Sequence, residues 1–280
     1  PPPPRHSIRR QRQMCIRDSQ DTEMGGRILE LQEAYIRKVV DTVNDLDNVL
    51  FEVCNEAGAY STAWQYHVVE TVKEHEASLP KQHPVGMTFQ YKGGENQVLF
   101  DSPADWISPN FGTHDRSYRE DPPADTHGKV VVSDTDHLWG HTGGDAVWVW
   151  KSVTRGLNVL LMEDLLPSPT WEDSARTAMG QARRLAEGLD LAAMTPQGGL
   201  SSTGYCLAAP GREYVVFQPG SQGLFGVDLK EVTGACTGEW LNVTTGQTQP
   251  SRPVDGGARR TFATPFGGPA VLHLRCAGIS

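Results

Sequence analysis

Carboxylates stand at the ends of apolar runs in this chain, where a parallel α/β fold places reacting groups. Asp47-Asn-Val-Leu-Phe-Glu-Val-Cys-Asn-Glu-Ala-Gly58 is a strand-forming run that stops at Asn55-Glu56, beside a small, flexible Ala-Gly. Gly128-Lys-Val-Val-Val-Ser-Asp-Thr-Asp136 is a second such run, closing on Asp134 and Asp136, with His137 and Trp139 directly after. Leu157-Asn-Val-Leu-Leu-Met-Glu163 is a third. In an α/β barrel the C-terminal ends of the strands form the reactive face. One carboxyl that protonates a leaving oxygen, with a second that stabilises or attacks an electron-poor carbon, suits acetal cleavage such as glycosidic hydrolysis. An isolated Asn-Glu dipeptide is also an ordinary polar strand end, so the surrounding elements have to give it meaning.

Those elements follow from apolar periodicity. Ile28, Leu31, Tyr35, Val39 and Val43 recur at helical spacing before the first strand, and Trp64, Val68, Val69 and Val72 mark a second helix from about Ala63 to Glu76. Pro84 to Tyr91 reads as a buried strand, and Phe100 to Ser108 as a shorter one ending near Trp106. Asp145 to Gly156 and Trp171 to Leu189 read as helices, with Gly156 a stop signal. Continuous apolar strands alternating with helices predict an α/β fold with a parallel sheet. A full eight-unit barrel takes about 250 residues, so residues 20–196 hold between about five and six units. Strands near residues 49, 85, 104, 129 and 157 then correspond to strands 4 to 8 of a partial (β/α)8 TIM barrel.

After Thr195-Pro196 the pattern changes. Tyr205 to Ala208, Glu213 to Phe217, Leu224 to Leu229, Gly238 to Val243, Thr261 to Thr264 and Ala270 to Arg275 are short strands separated by Gly, Pro, Asn and Ser. They predict a small antiparallel β-sandwich over residues 197–280, with a linker near 191–202.

The first 19 residues are excluded from the fold. Gln13-Met-Cys-Ile-Arg-Asp-Ser19 reads as a translated transposase adaptor, CAG ATG TGT ATA AGA GAC AG, left in a metagenomic fragment. The natural N-terminus, with any signal peptide, is accordingly expected to be missing. An open arc of strands would leave two unpaired edges, so aggregation or inactivity is expected of the chain as written.

A net charge of -9 and a pI near 5.5 disfavour nucleic acid, whose phosphates call for a basic face. No apolar run reaches the roughly 20 residues of a membrane-spanning helix. Cys206, Cys236 and Cys276 allow one disulfide with an odd thiol, and no Cys/His spacing suggests zinc. No cofactor or metal is expected. The compartment is not fixed, a secreted or periplasmic location being compatible.

The chain resembles the clan A glycoside hydrolases at Asn55-Glu56. It is similar in particular to cellulase-like and apiosidase-like bacterial hydrolases whose C-terminal domain carries a collagen-binding label. The resemblance runs through Asp41 to Glu52, Ser133-Asp-Thr-Asp-His-Leu-Trp-Gly140, Trp148 to Gly156, Leu191-Ala-Ala-Met-Thr-Pro-Gln197 and Thr203-Gly-Tyr-Cys-Leu-Ala208. It implies a retaining hydrolase acting on a carbohydrate, with the acid/base after barrel strand 4 and the nucleophile after strand 7. Glu56 is then the acid/base, its pKa raised by apolar walls for which Cys54 and Trp139 are candidates. Asp136 is the first choice of nucleophile, Asp134 the second and Glu163 the third; the clan's usual residue is Glu, from which this chain departs. Asn55, Gln90, Tyr91, Trp106, His137 and Trp139 are expected to line the substrate cleft, Trp139 as a stacking platform for a sugar ring. Trp148 and Trp150 are expected in helix packing. Two rival readings remain: a non-catalytic carbohydrate-binding protein on a degenerate barrel, and an adhesion module.

Overall fold

The helical spacing at the start of the chain folds as helix α1 (Gly26–Val43), and Trp64, Val68, Val69 and Val72 form the buried stripe of α2 (Thr62–Glu76). A computed structural model describes residues 26–91, 93–111, 117–124, 126, 128–140, 143–162, 172–220 and 223–277. Polar contacts join the two helices along their length. Trp64 Nε1 donates to Gln32 Oε1 at 3.1 Å, His67 meets Glu33 at 2.8 Å, and Asn44 Nδ2 donates to Glu76 Oε1 at 3.1 Å.

Five parallel strands follow in the order β1 (Phe51–Glu52), β2 (Val85–Thr88), β3 (Trp106–Ser108), β4 (Val130–Asp134) and β5 (Asn158–Leu160). Each falls where an apolar run predicts it, and each is shorter than the run. The register is Phe51 opposite Val85, Gly86 opposite Trp106, Trp106 opposite Val130, and Val132 opposite Asn158. Phe100 to Ser108 is not one strand. Its first residue ends helix α3 (Asn96–Phe100), and Trp106 begins β3 instead of ending it. The short helices α4 (Ser117–Glu120) and α5 (Thr135–Trp139) flank β4, and α6 (Ala146–Thr154) precedes β5.

The chain divides into two compact units, residues 1–112 with 127–131 and residues 113–126 with 132–280, so the division runs through β4 after Val131. In the first unit Val40, Val69, Val72, Val85, Met87, Leu99, Ile107 and Val131 are buried together with the helix stripe. In the second, α6 and α7 (Glu172–Ala186) meet the antiparallel part directly. Trp150 stacks on Phe217 with centroids 6.5 Å apart, Gln181 Nε2 donates to Val243 O at 3.0 Å, and the Tyr205 hydroxyl donates to Asp121 Oδ1 at 2.7 Å. The stretch near 191–202 is built into this unit, because Thr195–Pro196 forms strand β6.

The antiparallel part has a six-stranded sheet in the order β11 (Thr248–Asp255), β10 (Ala235–Asn242), β13 (Ala270–Cys276), β8 (Glu213–Gln218), β7 (Cys206–Ala209), β6, and a pair of β12 (Arg259–Ala263) with β9 (Leu224–Asp228). Its core gathers Tyr214, Val216, Phe225, Val227, Trp240, Phe262, Leu272 and Leu274. A disulfide joins Cys236 to Cys276 across β10 and β13. Burial pushes the remaining Cys206 thiol up to about 12, which leaves it inert as a nucleophile.

Candidate active site

At the exit of β1 the chain turns sharply. Asn55 and Glu56 form the turn with both side chains exposed, and Glu56 is the one described non-glycine residue with positive φ, at 49°. That left-handed conformation brings Cβ close to the following carbonyl, a cost of about 1–2 kcal/mol for an L-residue. Strain of this kind persists where the surroundings impose it. Here they include the exit of β2: Tyr91 N donates to Ala57 O at 2.9 Å, and Gly58 pairs with Tyr91 as a parallel bridge. Upstream, the Thr88 hydroxyl lies 3.0 Å from Glu52 Oε1 and 3.2 Å from the carbonyl of Cys54. Cys54 is half-buried, and burial followed by the charge of Glu52 pushes its thiol above the ordinary value. The Cys54 thiol lies 3.6 Å from the Asn55 carbonyl, and Glu56 is exposed.

The exit of β4 is built differently. Along β4, Val131 and Ser133 are buried, and Val130, Val132 and Asp134 share the opposite, more open face, as the two-residue alternation of a strand requires. Asp134 is the last strand residue and also the N-cap of α5: its Oδ1 accepts from the backbone N–H of Asp136 at 2.9 Å. Its Oδ2 lies 3.9 Å from His137 Nδ1. Burial holds its carboxyl above the usual aspartate range; the Asp136 N–H and His137 pull the other way, and the charge of Asp136 adds to the rise. Asp136 lies in the first turn of α5, so the cap expected of one of the two aspartates falls to Asp134.

Trp139 is half-buried, with protein groups packed against its ring. It meets Trp148 edge-on at 5.3 Å, the Arg119 guanidinium lies 5.5 Å from its ring centroid, and a Cβ on Gly143 would come within 2.3 Å of the ring. Arg119 carried no signal in the sequence, being one of several scattered cations.

Two expected cleft residues lie elsewhere. Gln90 is 2% exposed, and its Nε2 donates to the Thr62 hydroxyl at 2.9 Å, so its amide turns into the protein and away from any cleft. Trp106 stands at the N-terminal end of its strand, over Gly86, whose missing side chain leaves room for the indole: a Cβ there would come within 1.8 Å of the ring. The parallel sheet places the reactive face at the other end. Tyr91 does reach solvent at the β2 exit, 52% exposed. Trp148 and Trp150 are buried in α6, their indole N–H groups directed at Tyr118 O and Gln181 Oε1. Glu163, His141 and Trp171 lie outside the described residues.

No family model matches the chain, and no curated protein matches it. Solved structures share its fold at low identity. A structure described as a glycoside hydrolase superposes with a TM-score of 0.59 at 12% identity, over 89% of this chain and 69% of its own. A glycoside hydrolase family 5 protein from Bacteroides vulgatus gives 0.60 at 12%, over 87% and 66%. A family 30 subfamily 8 xylanase from Clostridium acetobutylicum gives 0.52 at 14%, over 87% and 71%. The chain thus spans about two-thirds of the length of the structures it is similar to, and what it shares with them is the fold: a parallel α/β sheet of the glycoside hydrolase barrel kind, followed by antiparallel sheets.

Proposed function

We propose that this chain serves glycoside hydrolysis, as part of a retaining enzyme acting on a polysaccharide or oligosaccharide by double displacement. The fold shared with glycoside hydrolases carries the reading; within it one candidate carboxylate, Glu56, follows β1, and another, Asp134, ends β4. Glu56 protonates the departing glycosidic oxygen while an aspartate attacks the anomeric carbon, giving a glycosyl ester. Glu56 then takes a proton from water, which attacks the same carbon and releases the aspartate. Between the two candidates, strand register supports Asp134 over Asp136: it ends β4 on the open face, and the Asp136 N–H that it accepts fixes its orientation.

The test is a screen of the whole enzyme that contains this chain on aryl glycosides and polysaccharides beside Glu56→Gln, with an expected loss of about 10²–10⁴-fold in rate. An unchanged rate in that variant sinks the acid/base assignment. Asp134→Ala and Asp136→Ala assayed with azide identify the nucleophile, because only the variant lacking it regains turnover by forming a glycosyl azide. The exposure of Glu56 and the capping role of Asp134 favour one rival reading, carbohydrate binding without turnover. That reading predicts retention on a polysaccharide affinity gel with no product released, and Glu56→Gln alters neither.

A further inference from the structure

The turn that carries Asn55 and Glu56 is followed by a 3-10 turn (Ala59–Ser61) and then by α2. Two buried glutamines face this junction. Gln90 Nε2 donates to the Thr62 hydroxyl at 2.9 Å, and that hydroxyl lies 3.0 Å from Ala59 O, the better of its two acceptors; Gln90 Oε1 is 3.3 Å away. Gln65 Nε2 donates to the Ser61 hydroxyl at 2.9 Å, which passes its own hydrogen to Gly58 O at 2.7 Å. The two relays run in parallel, amide to hydroxyl to carbonyl, and end on adjacent peptide groups just past Glu56. They differ in origin. Gln65 belongs to α2 itself, whereas Gln90 comes from the exit of β2 and ties the turn to the sheet. The next residue along, Tyr91, adds the backbone bond to Ala57 O.

A non-glycine residue at φ 49° relaxes toward ordinary backbone unless its neighbours hold it. Past the turn, Gln90 gives its hydrogen bond to this junction from the exit of β2, and ahead of it the β2 hydroxyl of Thr88 gives one to Cys54 O. We infer that Gln90 is a positioning residue for Glu56: through Thr62 and Ala59 it fixes the turn that presents the carboxylate, without touching substrate. The inference rests on the glycosidase reading of Glu56 for its catalytic consequence, and on geometry alone for its effect on the turn.

Gln90→Leu removes the amide at similar volume, and Thr62→Val removes the hydroxyl from the opposite side. Amide hydrogen exchange reports the turn through the Ser61 and Tyr91 N–H groups, with Phe89 and Asp105 as controls in the same sheet. Each variant is expected to speed exchange at Ser61 and Tyr91 by about tenfold and to leave the controls unchanged. Each is expected to lower kcat by about tenfold with KM within twofold, and the double variant to be no worse than either single one. A rise in KM at constant kcat makes Gln90 a substrate contact and overturns the inference, as does unchanged exchange at Ser61 and Tyr91 in both variants. If Gln90→Leu melts far below the wild type, Thr62→Val carries the test. If the enzyme that contains this chain turns over no glycoside while exchange responds as expected, the glycosidase reading fails and the clamp on the turn stands.

Discussion

Strands β1 and β4 both end beside a carboxylate, and they hold it by opposite means. β1 is two residues long, and its exit carboxylate stands on strained backbone with an exposed side chain. β4 is five residues long, and its carboxylate is placed by plain strand alternation and oriented by one backbone N–H. The short strand compensates with polar clamps from other elements at both ends. At its entry, Glu76 of α2 lies 1% exposed between Asn44, the His83 ring at 2.6 Å and the His83 N–H at 2.6 Å. At its exit stand Gln90, Thr62 and Tyr91. Where a ladder is too short to dictate direction, tertiary hydrogen bonds take over that task, and the sequence around such a strand has to carry buried polar groups.

The sharpest way to break this contrast is to remove a clamp from one strand and a buried polar atom from the other. Glu76→Ala strands the His83 imidazole and the Asn44 amide inside the first unit, and loss of one partner of a buried pair costs about 3–5 kcal/mol. In β4 the buried Ser133 hydroxyl has no hydrogen-bond partner among the described residues, so Ser133→Ala is expected to be neutral or to stabilise by up to about 1 kcal/mol. Urea denaturation of the two variants reads the difference. Equal losses would mean that β1 depends no more on polar clamps than β4 does.

The two carboxylates give a second, smaller contrast, one of sign. Glu56→Gly relieves the left-handed backbone and is expected to raise stability by about 1 kcal/mol. Asp134→Ala deletes a helix N-cap and is expected to lower it by about 1 kcal/mol. Both are expected to abolish turnover, so activity would fall with stability moving in opposite directions. A Glu56→Gly variant less stable than the wild type would show that the carboxylate, and not the backbone, holds the turn.

Much of the α/β half could be read directly, because Val85 to Thr88 and Val130 to Val132 are apolar runs whose length and composition admit only a strand. Trp106 was misplaced for a physical reason: an aromatic after Asp-Ser-Pro-Ala-Asp looks like a strand end, and only the Gly86 beside it shows that the indole starts the strand and lies across a neighbour. Strand β11 was missed altogether. Thr248-Gln-Pro-Ser-Arg-Pro-Val-Asp255 has two prolines and no apolar alternation, which suits an outermost strand and little else. At the candidate site the carboxylates were visible as strand endings. That Gln90 turns inward to Thr62 was not, since a glutamine after an apolar run reads equally as cleft lining and as buried amide. The cap at Asp134 was legible only as one of two choices, because Asp-Thr-Asp offers two oxygens to one helix start.

The smallest effects are the pH dependences, and they separate the two strands by window. Both ring nitrogens of His83 face acceptors, Nδ1 toward Glu76 Oε1 at 2.6 Å and Nε2 toward Leu46 O at 2.8 Å. A neutral imidazole donates from one nitrogen only, so the imidazolium fits this site best. The hydrogen bond to Glu76 and then that to Leu46 raise its pKa above 6.5, against burial and the nearby Lys81; Asp47 is the other charge close by. A folded pKa above the unfolded one gives stability that is complete below about 6.5 and is lost as pH rises through the folded value. Asp134 is also raised, mainly by burial, so its contribution is complete below 3.8 and is lost as pH rises through its own higher value. Urea midpoints measured across pH should therefore fall twice. His83→Gln should flatten only the fall that sets in above 6.5, and Asp134→Asn only the one that sets in above 3.8. If His83→Gln leaves the fall above 6.5 in place, the His83–Glu76 pair is not what ties the entry of β1, and the contrast between a clamped strand and a laddered one loses its first anchor.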